Sequence, residues 1–202
     1  MSKNFFKHLN TITKHRWLVF KFSCKVGMPF RGFVHDLSKF SPTEFNNGVK
    51  YYSGVMSPLF NERKNNNMYS ETCIHHTNRN KHHYEYWIDF YRGDVILKKI
   101  PYKYSLEYVI DMISASVTYN KKNFKIELPL QFFIEREKAY LMHPMTKEFI
   151  KTLLTRYKEG GFKNLKKKYT KNLYNELNKK YKDTYLVPFY SLNNEFIYKE
   201  IN

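Results

Sequence analysis

Cysteine is nearly absent: only Cys24 and Cys73 occur in a chain of 202 residues. Two thiols exclude a disulfide framework and a cysteine-based zinc cluster, and they suit a reducing, cytoplasmic setting. Glycine and proline are also scarce, with seven of each. That scarcity disfavours a turn-rich β-fold and favours helices. No apolar run approaches the roughly 20 residues needed to span a bilayer. The short run Trp17-Leu18-Val19-Phe20 meets Lys21 at once and carries no signal-peptide cleavage pattern. Acidic residues are outnumbered: 18 Asp and Glu stand against 35 Lys and Arg, a net charge of +17. Such a balance points to an anionic partner, nucleic acid, nucleotide or acidic headgroup, although a basic solvated surface gives the same number.

What is present reads as mainly α, a helical bundle with a basic helical extension at its C-terminus. Phe5, Leu9, Ile12, Val19, Phe22 and Val26 recur at helical spacing and predict a first helix over 3–26, with His8 and His15 at the margin of its apolar face. Gly27 and Pro29 end it. A second helix is expected over 30–39, after which Ser41 reads as an N-cap, Pro42 as the first helical residue and Glu44 as part of the first turn. Residues 46–69, rich in Asn, read as loop with one helical turn at most, a length that suggests a lid. Ser70 caps a helix expected to reach Tyr91 and stop at Arg92-Gly93-Asp94. Further helices are expected from Ser105 through Val117, from Pro129 to Met142, from Pro144 to Gly160, and along Phe162, Leu165, Tyr169, Leu173, Leu177 and Tyr181. Short strands are expected near 95–100 and 185–198. The division of the chain is expected between 1–145, a metal-binding helical domain, and 146–202, a basic amphipathic extension packed on it. The lysines of that extension, including Lys166-Lys167-Lys168 and Lys179-Lys180, suit a polyanion as well as a solvated outer face.

The chemistry concentrates in histidine. Four of the eight lie in two doublets, His75-His76 and His82-His83, seven residues apart. On one continuous helix that spacing stacks His75 above His82 and His76 above His83, an arrangement suited to one metal ion or an adjacent pair. By 100° steps, His76 and His83 border the apolar side with Cys73, Tyr84, Trp87 and Ile88, whereas His75 and His82 point away from it. His76 and His83 are therefore the expected ligands, leaving His75 and His82 for substrate phosphates at a cleft mouth. A second group is His35-Asp36-Leu37-Ser38-Lys39. An adjacent His and Asp can share one cation, and the carboxylate can bridge to a second. Lys39 follows one turn later, placed for a phosphate oxygen, and Arg79 offers a planar fork to a phosphate.

The order His15, His35-Asp36, paired histidines, Asp111 resembles the HD superfamily of metal-dependent phosphohydrolases. Lys39 resembles the lysine that often follows the His-Asp pair there. More closely, His35-Asp36-Leu37-Ser38-Lys39-Phe40-Ser41-Pro42-Thr43-Glu44-Phe45, together with the histidine doublets and Glu85-Tyr86-Trp87, resembles an uncharacterised bacterial and phage family, a domain of unknown function. The resemblance covers roughly residues 8–120. It implies a metal set of His15, His35, Asp36 and Asp111, completed at a second ion by His76 and His83, with Asp36 bridging. It implies a cofactor of one or two divalent ions, Mn, Fe, Zn or Mg. His8 is a lesser candidate ligand, Glu107 a carboxylate that orients a ligand, and His143 a helix stop before Pro144. One departure stands out: relatives with two metals take these histidines from separate helices, whereas here both doublets are expected on one.

The expected activity is hydrolysis of a phosphate ester in a nucleotide or nucleic acid, with Asp36 and Lys39 at the reacting centre. Two other readings compete with it: a di-iron oxygenase on the same scaffold, and a non-catalytic nucleic-acid or protein-binding module with a structural metal. Oligomeric state is not legible from these residues.

Overall fold

A computed structural model describes residues 3–188 and the short strand at 199–200. The chain is mainly helical and forms two compact units, one comprising Met1–Asn80 with Ile110–Lys125, the other Lys81–Val109 with Ile126–Asn202. They interleave along the chain and do not follow the division expected near residue 145.

The first unit opens with α1 (Lys3–Lys25), whose buried stripe is His8, Ile12, His15, Val19 and Ser23. The spacing of four, three, four and four is the helical repeat read from the sequence, except that the histidines lie inside it. α2 (Pro29–Val34) follows, with a 3-10 turn at Leu37–Phe40 in place of the expected continuation to residue 39. Asp36 interrupts the helix with φ 51°, a left-handed conformation that aspartate tolerates better than most residues. α3 (Pro42–Lys50) starts as expected: the Ser41 hydroxyl accepts from the Glu44 N–H at 3.4 Å, and Pro42 stands at the first position.

The long loop expected over 46–69 is not there. Its first residues complete α3, and α4 spans Pro58–Asn65. Gly48 explains why an Asn- and Gly-rich stretch stays helical. A Cβ there would lie 2.2 Å from His8 Nε2, so only glycine allows α1 and α3 to approach so closely. Tertiary packing outweighs a propensity difference of roughly 1 kcal/mol. In α4 the buried Glu62 accepts from Ser70 Oγ at 2.7 Å and anchors the next helix.

α5 (Glu71–Thr77) begins at the expected cap, Ser70 Oγ accepting from Cys73 N at 2.9 Å. It stops after two turns rather than running to Tyr91. Asn80 Nδ2 donates to the His76 carbonyl at 2.8 Å, a side-chain bond that competes with helical continuation. The unit closes with the part of α6 (Tyr102–Asn120) from Ile110 onward. Ser105, expected as its cap, lies inside the helix and donates to the Ile100 carbonyl at 2.9 Å.

The second unit carries a four-stranded antiparallel sheet in the order β1 (Ile88–Tyr91), β2 (Asp94–Lys98), β3 (Thr184–Pro188), β4 (Lys199–Glu200). The expected helix over 84–91 is instead a 3-10 turn at Tyr84–Trp87 followed by β1. Arg92 and Gly93 both have positive φ, 49° and 86°, and make the two-residue turn that closes β1 on β2. Of the strand expected over 185–198, the part to Pro188 is β3, and residues 189–198 lie outside those described. Helices α7 (Leu128–Arg136), α8 (Pro144–Gly160) and α9 (Lys167–Lys180) complete the unit. α7 is shorter than expected, and Phe162 to Leu165 form a 3-10 turn ahead of α9. Phe133, Phe149, Ile150, Leu153 and Leu154 form the apolar core of this unit. No helix among the described residues is long and apolar enough to cross a membrane.

Candidate metal centre

In the first unit, two helices and one irregular turn bring His15, His35, Asp36 and Asp111 together. His15 comes from the inward stripe of α1 and Asp111 from α6. His35 and Asp36 come from the break after α2, where the left-handed Asp36 turns consecutive side chains into the same site. His15 Nε2 lies 3.0 Å from Asp111 Oδ1, and His35 Nε2 lies 3.4 Å from the same oxygen. Asp36 Oδ2 is 3.2 Å from His35 Nε2. One ligand atom from each of the four residues falls within 4.8 Å of all the others. Such a cluster could hold a metal ion.

Two observations fit that use. His15 Nε2 is buried and lies 3.0 Å from Asp111 Oδ1, so the imidazole is held against the carboxylate. Imidazole nitrogens and carboxylate oxygens converging on one point suit a cation. The donor set is also appropriate, because two imidazoles and two carboxylates match the borderline preferences of Zn, Mn and Fe and accept Mg less readily.

The surrounding groups set the charge states. Burial works against an ionised Asp36, but His35, Lys39 and His76 outweigh it and hold the carboxyl well below its usual range. Burial likewise opposes Asp111, and its bonds to His15 and His35 reverse the balance. Burial, helped by the Lys39 charge, lowers the His15 imidazole and keeps it neutral, the form that ligates. Lys39 Nζ sits 2.6 Å from Asp36 Oδ2, with 29% of its side chain still exposed. Burial alone would lower its pKa, yet Asp36 and Asp111 raise it.

Arg16 holds the His35 turn in place. Its Nε donates to the His35 carbonyl at 2.8 Å and its terminal nitrogen to the Phe33 carbonyl at 2.9 Å, capping the end of α2 with a cation.

The doublets divide differently from the expectation. His76 is buried with Nε2 3.5 Å from Asp36 Oδ1, the oxygen opposite the one that faces His35. His75 does not face outward to a substrate; its Nδ1 donates to Glu44 Oε1 at 2.8 Å. Because α5 ends at Thr77, His82 and His83 belong to no common helix with His75 and His76. The two doublets therefore do not share an element, and His82 and His83 lie in the turn that follows α5. Within the second unit His82 is the buried member, its Nδ1 3.5 Å from Glu107 Oε1, and His83 is the partly exposed one, 3.9 Å from Glu85. Glu107, expected to orient a ligand beside Asp111, thus faces His82. Arg79 is exposed and donates to the carbonyl of His75 at 3.4 Å. His8 lies outside the cluster among Phe45 and Tyr52, and burial lowers its pKa to about 4. His143 does more than stop a helix, since its Nδ1 accepts from Met145 N at 3.1 Å and caps α8.

Glu44 is the residue that sequence reasoning passed over. In Ser41-Pro42-Thr43-Glu44 its carboxylate resembles half of a capping box. Instead, Glu44 is buried and takes Nδ1 protons from both His75 and His76 at 2.8 Å. That bond holds the His76 ring with Nε2 toward Asp36. The signal available was a carboxylate in a first helical turn near predicted ligands; its pairing across 31 and 32 residues was not visible.

The model of a family of unknown function, DUF5662, matches residues 4–156. No curated protein and no solved structure matches the chain. The matched span contains His15, His35, Asp36, Glu44, His76 and Asp111, and ends before α9 and β3. By that match over most of its length, the chain belongs to the DUF5662 family.

Proposed function

We propose that this chain is a metal-dependent phosphohydrolase acting on a phosphate ester of a nucleotide or nucleic acid. The observation that carries the reading is the convergence, within 4.8 Å, of the buried His15, His35 and Asp36 with the half-buried Asp111. These four residues would hold one divalent ion. His76, on the far oxygen of Asp36, makes that carboxylate the residue disposed to bridge to a second. A divalent ion at such ligands supplies Lewis acidity toward a phosphoryl oxygen and a nucleophile usable near neutral pH. The chain's own groups supply the rest. Asp36 stays ionised beside His35, Lys39 and His76. Lys39 spends one donor on Asp36 and keeps exposed surface, so it is the cation available to charge developing on a phosphate. Glu44 holds the His76 ring in place. The net charge of +17 favours a polyanionic substrate over a neutral one.

The experiment is metal analysis after anaerobic purification, joined to a hydrolysis screen of wild type and Asp36→Ala on nucleotides, cyclic nucleotides and single-stranded nucleic acid. Bound divalent metal, with hydrolysis that Asp36→Ala abolishes, is the expected result. A protein that takes up no metal under any loading condition, or an Asp36→Ala variant that hydrolyses as well as wild type, ends the reading. Iron with dioxygen consumption and no hydrolysis would replace it with the oxygenase.

A further inference from the structure

The first unit exposes a continuous aromatic surface along α1 and α2. Trp17 is 61% exposed, Phe33 65% and Phe30 73%. Phe20 joins them, its ring centroid 5.6 Å from Trp17 and 6.5 Å from Phe33. Phe30 stands three residues before Phe33 on α2 and so shares its face. Large rings grouped in solvent, unlike scattered ones, mark an interaction surface.

The charge around these rings restricts the partner. Residues 1–35 contain seven Lys and Arg and no Asp or Glu. Lys14 and Lys21 lie three residues before and four after Trp17, on the same exposed stripe of α1. A second copy of this chain would bring the same cations face to face, so self-association is disfavoured by like charge. A polyanion with flat apolar groups meets both features: phosphates reach the lysines while bases stack on the rings. The frame is also tied to the candidate metal centre. Arg16 bonds the carbonyls of Phe33 and His35 and lies over the Phe40 ring at 5.1 Å, so one side chain fixes both the ring platform and a ligand.

We infer that the Trp17–Phe20–Phe33 surface, with Lys14 and Lys21, is a docking platform for single-stranded nucleic acid. This extends the proposed function by naming the form of its substrate and rests on it for what is done to the strand; docking itself is measured without turnover. Base–aromatic stacking is sequence-tolerant, and loss of one platform weakens binding by roughly fivefold or more.

The test is fluorescence anisotropy with a short labelled oligothymidylate and chelator-treated full-length protein over a salt series. Wild type is expected to bind with strong salt dependence. Trp17→Ala and Phe33→Ala should each weaken binding by roughly fivefold or more, and Lys14→Ala should reduce the salt slope by about 0.7. A Lys167→Ala/Lys168→Ala control on α9 should leave the affinity nearly unchanged. In a Trp87→Phe background, Trp17 is the remaining tryptophan, and its emission should be quenched by the oligonucleotide, a readout that needs no truncation of the platform. Wild type that fails to bind, or a Trp17→Ala/Phe33→Ala variant that binds as tightly as wild type, overturns the inference. So does a double variant that keeps the oligonucleotide but no longer sediments with phosphatidylserine vesicles, which would make the surface a lipid one. Failure of strand binding with mononucleotide hydrolysis intact removes the platform and leaves the hydrolase. Strand binding lost at Trp17, beside hydrolysis unaffected by Asp36→Ala, does the reverse.

Discussion

In the second unit α8 turns Met145, Phe149, Ile150, Leu153 and Leu154 inward; in the first, α1 turns His8, Ile12, His15, Val19 and Ser23 inward. Both helices bury a regular stripe, but only one fills it with hydrocarbon. Burial of Phe or Leu stabilises by about 1.5–3 kcal/mol each. Burial of imidazole and carboxylate stabilises only when the groups are well paired, and apolar residues in their place often serve stability as well or better. The second unit is thus built on its core. The first retains a polar interior whose histidines and carboxylates could hold a metal ion.

Four experiments would break or sharpen that contrast. The largest effect is expected at Asp36. Asp36→Ala removes the carboxylate shared by His35, Lys39 and His76, so stoichiometric metal should be lost, as read by elemental analysis after loading and desalting. Metal retained at wild-type stoichiometry would mean the first unit is polar for another reason. Next is Phe149→Ala in the second unit, where a fully buried ring is removed. It should cost about 3–5 kcal/mol in urea unfolding, while metal stoichiometry under folding conditions stays the same.

A smaller change is expected from Glu44→Gln, which keeps the shape but weakens the proton acceptance that sets His76. Metal affinity by calorimetry should fall roughly 10–100-fold, and an unchanged affinity would reduce Glu44 to a structural carboxylate. The smallest effect concerns pH and should treat the units alike. His8 in the first and His143 in the second both have pKa values lowered to about 4, chiefly by burial, from an ordinary 6.5. Each folded group resists protonation, so between pH 6.5 and about 4 the unfolded chain takes up the extra protons and stability falls as pH drops. Urea midpoints should therefore be lower at pH ~5 than at pH ~7. His143→Asn, which can still cap α8 through a side-chain oxygen, should reduce the difference.

The helical class, the starts of α1, α3, α5 and α8, and the candidate ligands His15, His35, Asp36 and Asp111 were legible because their signals are local or ordered along the chain. Ser41 and Ser70 cap where a Ser before a helical pattern should. The errors share a cause as well. The stretch 70–91 has apolar residues compatible with a helix, but Asn80 bonds back to His76 and strand pairing with Asp94–Lys98 captures Ile88–Tyr91. Arg92-Gly93 was a hairpin turn that also looks like a helix stop. Within 46–69, Asn and Gly argued for loop, yet α3 runs on to Lys50 with Gly48 packed against His8.

By itself, then, the amino-acid sequence determined which segments become helices wherever a cap, a proline or a sustained period of 3.6 lay within a few residues. It also determined that histidine and aspartate recur in an order suited to a metal. Tertiary structure alone decided that Glu44 serves His75 and His76 rather than its own helix end. It decided that Asp36 adopts a left-handed turn, and that His82 rather than His83 is the buried member of its pair. The physical reason is range. A cap or a helical face is set by neighbours in the chain, whereas the partner of a buried charge is set by whichever distant group the fold brings within about 3 Å to offset its desolvation.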